Sequence, residues 1–284
     1  MTIKIGLDVG RSNVKVFDGR KYLTFPSIVG EARELKLDYH QDDQGFRVTF
    51  HDHTEPEHCF IGTLARDESE FARQMLLREK ATPDTYRLAM TALSQYIPEE
   101  QTEGYFDVIT GVPVRDHDPV TKQRLIDLLQ RSCTLTVDGV LKRVHVTRVR
   151  VTVEGGGAFW VSPKDGTYRL IDAGSRTINY ITMRDRRYVD KESGTLDFGF
   201  DTNKSTNLRE LTAAIVGEVG KRWYSHDQIG VLGGNAVALT AELKRYFPNA
   251  HLFDAGKRVS TTGQIIDPNL FANAIGYYTM GRSV

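Results

Sequence analysis

Hydrophobic and polar positions alternate where the chain begins: Ile3, Ile5 and Leu7 are separated by Lys4 and Gly6. A period of two predicts a strand. The pattern breaks at Asp8-Val9-Gly10 and resumes from Asn13 to Phe17, which reads as a hairpin with a tight polar turn. Cys59 to Gly62 reads as a short strand after a polar stretch at 51–57. Phe71, Met75 and Leu76 recur at helical spacing and predict a helix over 68–79; Leu88, Ala92 and Leu93 predict another over 84–97. Pro83 lies between them and suits the first turn of the second. Asp107 to Val114 is the apolar run of a buried strand. Asp118-Pro119 then reads as a cap and first position of a helix over 120–130. From Leu141 to Val153 the alternation is strong but changes phase: Val144 and Val146 are even, Val149, Val151 and Val153 odd. A bulge or strand break near Thr147-Arg148 reconciles the two halves.

The second half repeats the theme. Residues 168–173 and 177–183 flank Gly174 as strand, turn and strand, and Leu208, Leu211, Ile215 and Val219 stripe a helix over 207–224. A strand over 228–232 turns through Gly233-Gly234 into a helix over 236–247, followed by a strand at 250–253 and a helix at 269–280. The order of elements predicts an α/β protein whose two halves echo each other.

Composition narrows the class without naming it. The 284 residues, 40% hydrophobic and 26% charged, are those of a globular chain of one large or two modest domains. Thirty-seven basic and 37 acidic residues cancel, so no overall basic field drives nucleic-acid binding. Cys59 and Cys133 form neither a disulfide framework nor a CxxC pair and read as free thiols of a reducing compartment. Met1 to Asp8 meets an acid too early for a signal peptide, and no stretch reaches 18 apolar residues; the expectation is a soluble, cytoplasmic chain with no membrane contact.

Two segments share a chemistry-bearing pattern. Ile5-Gly6-Leu7-Asp8-Val9-Gly10-Arg11-Ser12-Asn13-Val14-Lys15 and Leu170-Ile171-Asp172-Ala173-Gly174-Ser175-Arg176-Thr177-Ile178-Asn179 each carry an apolar strand, a D-x-G turn with small polar residues, and a second strand. The glycine lets backbone N–H groups approach an anion, and an Asp at a strand end is a usual holder of hydrated Mg2+ beside a phosphate. A single D-x-G turn is commonly only an Asx turn; two copies, one in each half, weigh against that. The third element is Val231-Leu232-Gly233-Gly234-Asn235-Ala236, a strand entering a helix through two glycines.

Together these three motifs resemble the phosphate 1, phosphate 2 and adenosine motifs of the actin/Hsp70/sugar-kinase superfamily. Cys59-Phe60-Ile61-Gly62 and Thr110-Gly111-Val112-Pro113-Val114 resemble strand signatures of bacterial actin-like proteins, and the match is nearest to the plasmid-segregation ATPases of the ParM/StbA and Alp type. The resemblance implies an actin-like two-lobed ATPase fold of duplicated ribonuclease H-like domains. Lobe I would take residues 1–153 and 270–284, and lobe II residues 154–269. It implies ATP/ADP and Mg2+ as cofactors, with Asp8 and Asp172 positioning the metal largely through water. Gly10, Arg11, Ser12, Asn13 and Lys15 would contact phosphates from one lobe, and Gly174, Ser175, Arg176 and Thr177 from the other. Gly233, Gly234 and Asn235 would hold ribose and adenine. Glu154, opening Glu154-Gly155-Gly156-Gly157, stands where the family has a Glu that orients water; a helix-start acid is the plainer alternative. Only 61 positions separate residue 172 from 233, so the fourth subdomain, IIB, is expected to be reduced or absent, as in the AlfA-type segregation actins.

The implied partners are further copies of the chain in a filament, and a DNA-binding adaptor of the ParR type rather than DNA itself. A small-molecule kinase of the same superfamily and a non-hydrolysing nucleotide-bound scaffold remain as alternatives. His51, His53, His58 and Cys59 match no zinc spacing and read as a solvated hairpin. Arg184-Asp185-Arg186-Arg187 reads as a hairpin tip, and Arg143, Arg148 and Arg150 as a solvated strand face. P-loop, Rossmann, HExxH and G-x-S-x-G motifs are all absent.

Overall fold

The structure is a computed structural model that describes residues 1–36, 42–52, 54–75, 79–203, 205, 207–256 and 267–282. The chain forms two compact units, 1–110 with 119–151, and 111–118 with 152–284.

In the first unit the elements run β1 (Thr2–Val9), β2 (Asn13–Phe17), β3 (Tyr22–Pro26), β4 (Ile28–Glu31), β5 (Gly45–Phe50), β6 (Glu57–Gly62), α1 (Thr63–Glu68), β7 (Arg73–Gln74), α2 (Pro83–Ser94), β8 (Glu103–Val112), α3 (Pro119–Leu129), β9 (Ser132–Val137) and β10 (Val140–Val153). They build a ten-stranded sheet in the order β3-β2-β1-β8-β10-β9-β5-β6-β4-β7. β1 is antiparallel to β2 and parallel to β8, so Ile5, Leu7 and Val9 are buried in the middle of the sheet. α2 starts as its sequence dictates: Pro83 occupies the first turn and the Thr82 hydroxyl accepts from the Thr85 N–H at 3.2 Å.

In the second unit follow β11 (Thr167–Ala173), β12 (Ile178–Arg184), β13 (Arg187–Tyr188), β14 (Gly194–Leu196), α4 (Leu208–Val219), β15 (Ile229–Leu232), α5 (Ala236–Leu243), β16 (Ala250–Leu252) and α6 (Ala272–Arg282). The sheet order is β13-β12-β11-β15-β16, with β14 on β12. Its core joins Ile171, Ala173 and Ile178 to Leu211, Ile215 and Val219 of α4 and to Leu239 and Leu243 of α5. The pattern of β1, β2 and β8 recurs, since β11 is antiparallel to β12 and parallel to β15.

Three expectations change. No helix spans the described part of 68–79: the helix sits earlier, as α1, and Arg73–Gln74 pairs with β4 instead. The Glu31 carboxylate turns the chain by accepting the N–H groups of Glu70 and Phe71, leaving Phe71 exposed; Leu76 lies outside the described residues. β10 runs unbroken from Val140 to Val153, so of the two alternatives the strand break falls away, and the phase changes at two adjacent exposed residues, Thr147 and Arg148. The C-terminal helix, expected to return to the first lobe, packs in the second unit. There the Tyr277 ring fills the space that side chains at Gly111 and Gly157 would take, and Gly276 lies against the Gly157 carbonyl. The Arg184–Arg187 tip is a tight turn with Asp185 and Arg186 at φ 48° and 65°.

Candidate functional site

The two D-x-G hairpins match residue by residue. In the first, β1 and β2 set Asp8 opposite Lys15; in the second, β11 and β12 set Asp172 opposite Asn179. Each turn glycine closes over the carbonyl three residues on. A Cβ at Gly10 would stand 2.7 Å from the Asn13 oxygen, and one at Gly174 would stand 2.5 Å from the Thr177 oxygen. Both lie below any real Cβ contact, so only glycine lets these turns close so tightly.

Within the first unit the structure gathers Asp8, Gly10, Arg11, Ser12, Asn13 and Lys15 at one end of the β1–β2 ladder. Buried Asp8 accepts from Lys15 Nζ at 3.2 Å, and the Gly10 N–H donates to the Asn13 carbonyl at 3.1 Å. The Ser27 hydroxyl donates to the Gly10 carbonyl at 2.7 Å, and the Ser27 N–H to the Ser12 carbonyl at 2.8 Å, so the residue joining β3 to β4 braces the turn. Arg11 directs its guanidinium to the Glu79 carbonyl at 3.4 Å. Lys80, to which the sequence assigned no role, is buried and donates to the Val9 carbonyl at 2.9 Å, which brings a second ammonium to the same strand end.

Within the second unit Glu154, Asp172, Gly174, Ser175, Arg176, Thr177, Gly233, Gly234 and Asn235 come from three segments. Glu154 and Asp172 are both buried. The Glu154 backbone N–H donates to the Val112 carbonyl at 2.8 Å, and its carboxylate accepts from Asn179 Nδ2 at 3.3 Å. Asn179 is fixed in turn: its Oδ1 accepts from the Thr195 hydroxyl at 2.7 Å and the Val114 N–H at 3.3 Å. The 199–202 loop donates to the carbonyls of Gly174, Ser175 and Arg176. Among the described residues the N–H groups of Ser175, Arg176 and Thr177 have no acceptor. A turn with its carbonyls taken and three donors to spare is a fit for an anion. Gly233, at φ +98°, packs on Ala173 and donates to the Asn269 carbonyl at 3.2 Å. The Asn235 side chain makes no capping bond to α5.

Asn273 of α6 also escaped the sequence. It is buried, donates from Nδ2 to Asp172 Oδ2 at 2.9 Å, and accepts the Gly155 N–H on Oδ1 at 2.8 Å. The histidine segment gathers no metal site among the described residues: His51 pairs with Thr136 and His58 with Thr49, each at 2.9 Å, and His53 lies outside them. Cys59 and Cys133 are buried free thiols, and burial pushes the Cys59 thiol up to about 12. Arg148 and Arg150 both pair with Asp107 at 3.3 Å.

Two mixed sheets that share the arrangement of a D-x-G hairpin with a parallel strand beside it define a mixed α/β fold of the actin type. The chain belongs to the actin-like protein family, whose N-terminal domain model matches residues 6–157. No curated protein matches its sequence significantly. Solved structures similar to it include a 15-stranded ParM filament from Clostridium botulinum, 21% identical with a TM-score of 0.78, covering 100% of this chain and 99% of that one. The AlfA filament bound to AMPPNP is 17% identical at a TM-score of 0.75, with 100% of both chains covered. Ta0583, an archaeal actin homolog in complex with ADP, is 16% identical at 0.73 with the same coverage. Among the described residues no helix is long and apolar enough to cross a membrane.

Proposed function

We propose that this chain binds and hydrolyses ATP with Mg2+ and assembles into filaments that segregate plasmid DNA. One observation carries the reading: the two hairpins repeat the same carboxylate, the same over-tight glycine and the same register. A structural Asx turn has no need of a second copy built so alike.

The residues divide the work by chemistry. Asp8 and Asp172 would hold a hydrated Mg2+, which offsets phosphate charge when bound. Lys15 supplies a compensating ammonium, with Lys80 behind it, while Gly10 keeps the turn tight and Ser12, Asn13 and the N–H groups at 175–177 offer neutral donors. Gly233, Gly234 and Asn235 form the nucleoside side. Glu154 accepts a hydrogen bond from the attacking water and so orients it, its carboxylate steadied by the hydrogen bond from Asn179.

The AlfA filament bound to AMPPNP and Ta0583 in complex with ADP support nucleotide binding, and the AlfA and ParM filaments support self-association. The interval between residues 172 and 233 holds β12, β13, β14, α4 and β15, much of it packed on the core of the second sheet, which supports a trimmed subdomain IIB. A neutral chain whose Arg148 and Arg150 are matched to Asp107 favours reaching DNA through a ParR-type adaptor.

Glu154→Ala tests the site. The variant is expected to bind ATP as the parent does while phosphate release falls by roughly 10²–10⁴-fold, the usual worth of a positioned acid–base group. Unchanged phosphate release removes Glu154 from this role. Light scattering that stays flat with ATP and Mg2+ at high protein concentration removes the filament.

A further inference from the structure

We infer that Asn273 is a positioning residue of the proposed site, the side chain through which the C-terminal helix hydrogen-bonds both Asp172 and the Glu154–Gly157 turn and holds them in fixed register. The inference rests on the nucleotide reading of Asp172 and Glu154 and deepens it. The two hydrogen bonds identify the two ends of the amide. The Gly155 N–H can only donate, so it faces Oδ1; Nδ2 is then the end directed at the Asp172 carboxylate, where a donor is required. Turned the other way, the amide would set oxygen against oxygen and N–H against N–H.

Each partner needs this contact. Asp172 is buried one residue before the end of β11, where each hydrogen bond to its carboxylate offsets the cost of burying the charge. Gly155 follows Glu154 directly and stands at φ +77°, where the Asp172 Cβ would lie 3.2 Å from an added side chain. The turn and the strand end therefore already touch, and Asn273 locks both to a third element.

That element is itself well fixed. Tyr277 is fully buried against Gly111 and Gly157, and Gly276 lies flush on the Gly157 carbonyl, so α6 cannot approach or rotate without moving the turn. Partners that orient a metal-holding carboxylate typically change metal affinity or activity 10–100-fold when lost. Asn273 stands in that relation to Asp172, and through Gly155 to the backbone that carries Glu154.

The test titrates Mn2+ onto full-length protein with a nonhydrolysable ATP analogue, counting free metal by electron paramagnetic resonance, and separately measures binding of the analogue in EDTA. Asn273→Ala is expected to weaken metal binding at least about tenfold while metal-free nucleotide binding stays within about twofold, because the phosphate and nucleoside contacts are untouched. Asn273→Ser keeps a small polar group too short to span both partners; it is expected to behave alike and serves where alanine fails to fold. Ile275→Ala loosens α6 by removing a buried side chain without touching the amide, and is expected to lower the melting temperature but leave metal affinity unchanged. Parental metal affinity in both Asn273 variants, or an equal loss in Ile275→Ala, overturns the inference alone. A wild-type chain that binds no nucleotide overturns the proposed function and this inference with it.

Discussion

Arg169 is the most buried cation among the described residues of the second unit, and several segments converge on it. Its guanidinium pairs with Glu192, with Asp227 at 2.9 Å, and with the Thr182 hydroxyl at 2.5 Å, over the Trp223 ring. The hydrogen bond from Arg169 foremost, and then that from Arg184, hold the Glu192 carboxyl below the ordinary value of 4.5 against the opposing effect of burial. A carboxyl depressed in the folded state stabilises above its unfolded value and loses that contribution as the pH falls through its folded one. Glu192→Gln is therefore expected to cost about 2 kcal/mol at pH 7, the worth of a hydrogen bond to a charged group. The cost should shrink as the pH is lowered past 4.5, as read by thermal melting across pH. A gap between the two proteins that stays constant with pH contradicts the pairing. At this scale the D-x-G residues were legible because each motif lies within one turn of chain. Asn273 was not, because it stands 101 residues from Asp172 and an isolated Asn carries no pattern. Lys80 is hidden for the same reason, lying 71 residues from the carbonyl it meets.

Strands joined to the next strand by a short glycine turn were easiest to read. β1, β2, β11 and β12 follow from alternation broken at a glycine turn, and α2 from Pro83 and its apolar stripe. Segment 68–79 misled because Phe71 and Met75 mimic a helical period while distant Glu31 decides the backbone. β9 passed unnoticed although Asp138-Gly139, both at positive φ, is a hairpin signal of the strongest kind. The C-terminal helix was placed correctly along the chain but assigned to the other lobe, since the glycine and tyrosine packing that holds it has no local signature. That packing makes a prediction of its own. Gly276→Ala puts a methyl onto the Gly157 carbonyl oxygen, and overpacking of this kind costs about 1–3 kcal/mol. Urea unfolding should report the loss, and a variant as stable as the parent contradicts the close approach of α6 to the Glu154–Gly157 turn.

Across the whole molecule, the echo between the halves was visible in sequence order and appears as the shared arrangement of the β1–β2–β8 and β11–β12–β15 strands. The shared register sets each carboxylate opposite the residue seven positions on, Asp8 against Lys15 and Asp172 against Asn179. Assembly was legible only through resemblance: filament contacts are surface properties that no motif encodes. Nucleotide-dependent assembly is therefore the claim to press. Electron microscopy of the purified full chain, with Mg2+ present throughout, compares samples with and without ATP. The account predicts filaments with ATP and few or none without it. Dispersed protein in both samples, at concentrations well above those at which ATP binding saturates, would contradict it.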